Sequence, residues 1–132
     1  MMGESMPFVQ ISILKGKSPG SLLNISNSVH EALVEEFGVP ELDKFQVLNE
    51  VNEGNLVYPS EYLGIPHTRE MVYIHITAKI GRTVEMKKRL YAKIADLIHE
   101  KENISPGDVF IVLSENSAEN WSFGQGQAQL VK

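Results

Sequence analysis

The amino-acid sequence is written twice, and that duplication constrains the fold more than any other feature. From Val9 it reads VQISILKGKS, and from Val72 it reads VYIHITAKIGRT. At an offset of 65 residues, Gly16-Lys17-Ser18 falls on Gly81-Arg82-Thr83, Val29 on Ile94, Leu33 on Ile98, and Val39 on Ile104. The same offset lays Asp43 on Asp108, Phe45 on Phe110, and Val47-Leu48 on Val112-Leu113. One matched segment arises by chance, but three in a single register mark an internal repeat. Each copy must therefore fold as the same supersecondary unit.

That unit reads strand, helix, strand. Val9, Ile11 and Ile13 alternate with Gln10 and Ser12, as Val72, Ile74 and Ile76 alternate with Tyr73, His75 and Thr77. A period of two marks strands buried on one side. Ser18-Pro19 offers a capping hydroxyl and a proline at the first helical position. Leu22, Ile25, Val29, Leu33 and Phe37 then share one helical face, and Gly38 suits the C-terminal cap. In the second copy Thr83 caps, Leu90, Ile94, Leu97 and Ile98 form the stripe, and Ser105-Pro106-Gly107 is expected to end the helix. Phe45 to Leu48 and Val109 to Leu113 supply the strands that follow.

A strand–helix–strand unit within one sheet makes a parallel pair with a right-handed crossover. Two units predict an α+β fold, a four-stranded mixed sheet with both helices on one face. The opposite face then needs a partner, so a homo-oligomer is expected, in which like surfaces meet. One domain from residue 7 to 132 is predicted, with repeat halves at about 7–50 and 70–115. Val57-Tyr58 and Tyr62-Leu63 are expected to form short strands or a hairpin in the link between halves. Residues 116–132 read as an arm that packs on a neighbour, and residues 1–6 as a leader.

Composition removes several function classes. A net charge of −5 argues against a nucleic-acid footprint. No apolar run reaches membrane-spanning length, and the first six residues lack the pattern of a signal peptide. The absence of cysteine excludes disulfides, zinc–thiolate sites and thiol nucleophiles. His30, His67, His75 and His99 show no metal-ligand spacing, and Gly124-Gln-Gly126 does not lie between a strand and a helix, so neither metal nor cofactor is expected. A cytoplasmic protein is the default.

Met6-Pro7-Phe8, Phe37-Gly38-Val39-Pro40-Glu41 with Asp43, Gly81-Arg82-Thr83 and the segment Asn120-Trp-Ser-Phe-Gly-Gln-Gly-Gln-Ala-Gln129 carry a resemblance to a known family. The doubled unit resembles the tautomerase superfamily of 4-oxalocrotonate tautomerase-like proteins. Within it, the chain is most similar to the malonate semialdehyde decarboxylase-like branch. The resemblance implies a homotrimer without cofactor and an N-terminal proline whose secondary amine moves a proton. It implies Pro7 as acid/base, Arg82 as the cation that binds a substrate carboxylate, and Asp43 as the group that activates water or orients Pro7. Trp121 and Phe123 would line an apolar wall, and Lys17 and Lys79 are candidate second cations.

The chemistry is reasonable for these residue types. An α-amino group titrates at roughly 7.7–8.0 and shifts lower when desolvated or near cations. Arginine holds a carboxylate bidentately and stabilises an enolate as it forms. Two departures stand beside this. Six residues precede Pro7, which turns its nitrogen into an amide without basicity. The decarboxylases of the branch carry a second arginine where this chain has Ile80, with Lys79 next to it. Keto–enol tautomerisation of small 2-oxo carboxylates is therefore the first reading. Decarboxylation or hydration of a 3-oxo or unsaturated carboxylate is the second. A non-catalytic binding module with a blocked proline, or an unrelated ferredoxin-like sensor, are the rivals from other classes.

Overall fold

Alternation in the two copies becomes two parallel pairs joined back to back. In a computed structural model that describes residues 7–131, the chain runs β1 (Phe8–Leu14), α1 (Pro19–Phe37), β2 (Phe45–Val51), β3 (Glu61–Tyr62), β4 (Ile65–Pro66), β5 (Val72–Lys79), α2 (Val84–Glu102) and β6 (Val109–Asn116). The main sheet has the order β2-β1-β5-β6. β1 pairs parallel with β2, β5 pairs parallel with β6, and β1 meets β5 antiparallel. The two copies thus join at β1 and β5 and point in opposite directions, which makes the sheet mixed.

Val9, Ile11 and Ile13 of β1 and Val72, Ile74 and Ile76 of β5 pack with Ile25, Val29, Leu33 and Phe37 of α1 and Leu90, Ile94 and Ile98 of α2 in one buried cluster. Both helices therefore cover the same face. The alternate residues stay open: Phe45 is 48% exposed, Phe110 49% and Val112 44%. Gln10, Ser12 and His75 lie between these apolar positions, and a groove of about 330 Å³ runs across them.

The caps follow the residue chemistry. Ser18 Oγ accepts from the Ser21 N–H and Thr83 Oγ1 from the Met86 N–H, each closing the first turn of its helix. Gly38 ends α1 in the left-handed region at φ 71°. The second helix differs from expectation. Asn103, also left-handed at φ 57°, caps α2, and Ser105-Pro106-Gly107 instead opens a short 3-10 turn over Pro106–Asp108. Asparagine tolerates that conformation because its short polar side chain bonds locally. The link also differs in detail: the hairpin is Glu61–Tyr62 against Ile65–Pro66, and Val57-Tyr58 is not a strand. There Tyr73 Oη donates to the Val57 carbonyl, so this stretch is held by a side chain and not by a ladder.

The arm from Ser117 folds on itself. After a 3-10 turn at Ala118–Asn120, Gln129 Oε1 accepts from the Phe123 N–H at 2.9 Å and its Nε2 donates to the Gly124 carbonyl at 2.7 Å. The leader at residues 1–6, and Lys132, lie outside the described residues.

Candidate active site

The sheet register decides which residues can meet. Phe8 lies opposite Phe45 on one side and Thr77 on the other. One position earlier, buried Pro7 stands at the entry of β1, between Lys44 at the approach to β2 and Ala78 near the exit of β5. The loop Ile80-Gly81-Arg82 leaves β5 at this same end. Lys79 pairs in register with Asn116, the last residue of β6. Pro7, Asp43, Lys79, Arg82 and the start of the arm are therefore gathered at one end of the sheet.

Arg82 is buried at 8% exposure. Its guanidinium donates to the Lys79 carbonyl at 3.1 Å and to the Phe37 carbonyl at 3.4 Å, and lies 4.8 Å from the centre of the Phe37 ring. From sequence, a cation beside the N-terminus of α2 reads as electrostatically unhelpful. The side chain turns away from that helix and reaches the C-terminus of α1, where exposed carbonyls favour positive charge and the last turn has no basic residue of its own. The cation–π contact with the Phe37 ring adds to the hold on the guanidinium.

Asp43 and its repeat partner Asp108 diverge in their use. Both carboxylate oxygens of Asp108 are engaged, one by the Thr68 N–H at 2.8 Å and one by the Thr68 hydroxyl at 2.6 Å. Asp108 is buried and fastens the link to β6. Asp43 closes a turn through its main-chain N–H to the Pro40 carbonyl at 3.0 Å. Its half-buried carboxylate makes no hydrogen bond among the described residues. Two contacts brace the segment around it: His30 Nε2 with the Glu41 carbonyl at 2.7 Å, and Lys44 Nζ with Asn27 at 2.6 Å.

The two lysines also part. Half-buried Lys79 ends β5 beside this site. Lys17 sits past the far end of β1, roughly 20 Å away along a seven-residue strand. There its Nζ pairs with Glu70 at 2.7 Å. Within one chain Lys17 is thus not brought to Pro7, because antiparallel joining of the copies puts equivalent loops at opposite ends of the sheet. Trp121 and Phe123 are half-buried and stacked, with ring centres 5.7 Å apart and planes at 22°. The indole Nε1 donates to Asn116 Oδ1, which joins the pair to the end of β6. Sequence reasoning missed Phe37 as the seat of the Arg82 guanidinium and Asn116 as the acceptor for Trp121. Phe37 was legible as a helix-face hydrophobe and as part of the motif carrying the resemblance, but not as a seat for a cation, and no pattern singled out Asn116.

Three concavities lie away from this end: the groove on the open sheet face, an apolar one of about 520 Å³ beside Tyr62, Ile65, Met71 and Phe110, and one of about 230 Å³ beside Lys17 and Glu70. Among the described residues no group of three His, Asp or Glu could hold a metal ion. None of their helices is long and apolar enough to cross a membrane.

Comparisons with known proteins agree on one family. Two family models, each described as tautomerase enzyme, match residues 43–124 and residues 7–65. The chain is 43% identical over 127 residues to "Probable tautomerase YusQ" of Bacillus subtilis (strain 168), covering 96% of this chain and all of the relative. Among solved structures it superposes on FG41 malonate semialdehyde decarboxylase inhibited by 3-bromopropiolate with a TM-score of 0.86 and 33% identity, covering 92% of each chain. The fold is also that of a fused 4-OT wild-type symmetric trimer, at a TM-score of 0.77 and 20% identity over 93% of this chain and 97% of that one.

Proposed function

Because this chain belongs to the tautomerase superfamily, we propose that it is a cofactor-free keto–enol isomerase of small 2-oxo carboxylates, with the amine of Pro7 as proton carrier. The observation that carries this reading is the gathering of Pro7 and the buried, pre-oriented Arg82 at one end of the sheet. In this reading Arg82 binds the substrate carboxylate and draws charge toward itself as the enolate develops. Pro7 takes the proton from the enol oxygen and delivers it to the adjacent carbon, or the reverse, acting as base and then as acid. Lys79 adds a second positive charge, as a point and not as a fork. Trp121 and Phe123 exclude bulk water, which strengthens each electrostatic contact.

Proline chemistry needs a free amine. We take Pro7 as the functional N-terminus of a single domain, with residues 1–6 removed.

Decarboxylation or hydration is the second reading. It is favoured by the likeness to malonate semialdehyde decarboxylase and by the carboxylate of Asp43, which takes no hydrogen bond among the described residues and suits activation of water. Ile80 at the second arginine position counts against it. The exposed apolar residues of the open sheet face support a homotrimer, as does the trimeric assembly of the fused 4-OT neighbour. A cytoplasmic location fits a cysteine-free chain.

Ketonisation of phenylenolpyruvate, followed by absorbance, tests the main reading. The chain beginning at Pro7 is expected to be active and the chain beginning at Met1 to be at least a hundredfold slower. Absence of activity in both, with both folded, would overturn the tautomerase reading for this substrate class.

A further inference from the structure

We infer that Asn116 is a positioning residue, which sets where the aromatic wall stands relative to the proton-transfer site; this rests on the function proposed above. Asn116 ends β6 directly beside Lys79, and it is bonded in two directions. Its main-chain carbonyl accepts from the Ile80 N–H at 2.8 Å, the first residue of the loop that carries Arg82. Its side-chain oxygen accepts from Trp121 Nε1. One residue therefore ties both the cationic loop and the aromatic wall to the end of the sheet.

The tether matters because the arm has little else of that kind. Among the described residues every other hydrogen bond of the arm stays within residues 117–131. Phe123 is braced by Gln129, and Trp121 stacks on Phe123, so the arm's aromatic pair is internally fixed. Its placement against β6 runs through the indole N–H. That N–H has no acceptor role, so a half-buried tryptophan takes its orientation from whichever oxygen receives it. Strand pairing puts Asn116 about two strand spacings from the entry of β1, roughly 10 Å, a span that a small carboxylate with a short tail fills. Asn116 does not touch the reacting atoms in this arrangement. It acts through Trp121 on how well the substrate is held.

Trp121 is the single tryptophan of the chain, so its fluorescence reports this contact without any turnover. The test uses the Pro7-start protein with Asn116→Leu, Asn116→Asp and Trp121→Phe. Asn116→Leu is expected to red-shift the emission and raise acrylamide quenching, and to raise KM for phenylenolpyruvate about tenfold while kcat changes less than threefold. Asn116→Asp keeps an acceptor for the indole and is expected to restore both the emission and KM. Adding Asn116→Leu to Trp121→Phe should change KM no further, since the donor is already gone. A shifted emission with unchanged KM overturns the positioning role, and so does an unshifted emission in Asn116→Leu. If the unsubstituted protein is inactive, the emission arm still decides whether the tether exists, and the loss falls on the tautomerase reading instead.

Discussion

At the scale of single residues, the internal repeat acts as its own control. Equivalent positions share a backbone setting, so a difference in side-chain use marks what each copy has kept. Asp108 spends both carboxylate oxygens on Thr68, while Asp43, at the equivalent place, spends neither among the described residues. Asp108→Ala should therefore destabilise the fold by about 2 kcal/mol, because it removes the buried carboxylate that takes two hydrogen bonds from Thr68. Asp43→Asn should leave the melting temperature within a degree or two and reduce turnover instead. Thermal melts of the two variants beside their kinetics check this contrast, and the reverse pattern would remove Asp43 from the site.

Arg82 differs from its partner Lys17 in the same manner. Lys17 is neutralised by Glu70 at the other end of the sheet, whereas Arg82 lies on Phe37 and donates to two carbonyls. Its side chain holds the C-terminus of α1, so Arg82→Ala confounds stability with binding. Arg82→Lys keeps the charge and loses the planar fork. It is expected to raise KM by at least tenfold with a smaller loss of stability than the alanine variant. Equal KM in the lysine variant would assign Arg82 to the scaffold alone.

At the scale of elements, the link between the copies is held by side chains more than by ladders. Tyr73 on β5 reaches the Val57 carbonyl, and partial burial, with Tyr58 as the lesser cause, pushes its pKa above the ordinary tyrosine value. A pKa raised in the folded state means that the neutral form is the one the fold prefers. The contribution is complete below the unfolded value near 10, and it is lost as pH climbs through the higher folded value. The difference in melting temperature between the natural chain and Tyr73→Phe should therefore shrink above pH ~10. Comparing the pair removes the lysine titrations common to both. A difference that stays constant with pH would mean that the hydroxyl does not hold the link.

Little of this link was legible in the sequence, since a hairpin with two-residue strands has no period to read. The helices and main strands were legible, because each carries its own periodicity and caps. The end of α2 was misread for a local reason: Ser105-Pro106-Gly107 has strong turn chemistry, and Asn103, a less frequent left-handed cap than glycine, ends the helix first.

At the scale of the whole molecule, the helices cover one face of the sheet and the other is left with Phe45, Val47, Phe110 and Val112 partly exposed. Surfaces of that kind are ordinarily closed by a like copy. Light scattering is expected to give three times the mass of the chain. Val112→Asp combined with Phe45→Asp should shift the population toward monomer and lower activity with it. A monomeric unsubstituted chain with full activity would refute the trimer. Three concavities among the described residues lie away from Pro7.

By itself the sequence determined the repeat, the strand–helix–strand order, the helix starts and the residues that face the core. Each of these follows from period, propensity or capping chemistry within a few residues of the chain. It also marked Pro7, Arg82, Asp43, Lys79, Trp121 and Phe123, through resemblance and not through spacing. Tertiary structure decided which of them share a place. Antiparallel joining of β1 to β5 carries the loop of one copy to the strand entry of the other, so Arg82 arrives at Pro7's end and Lys17 departs from it. No local pattern encodes that choice, because the pairing of β1 with β5 spans more than sixty residues. The same long-range contacts seat Arg82 on Phe37 and pin Trp121 to Asn116, two roles that exist only once the sheet has closed.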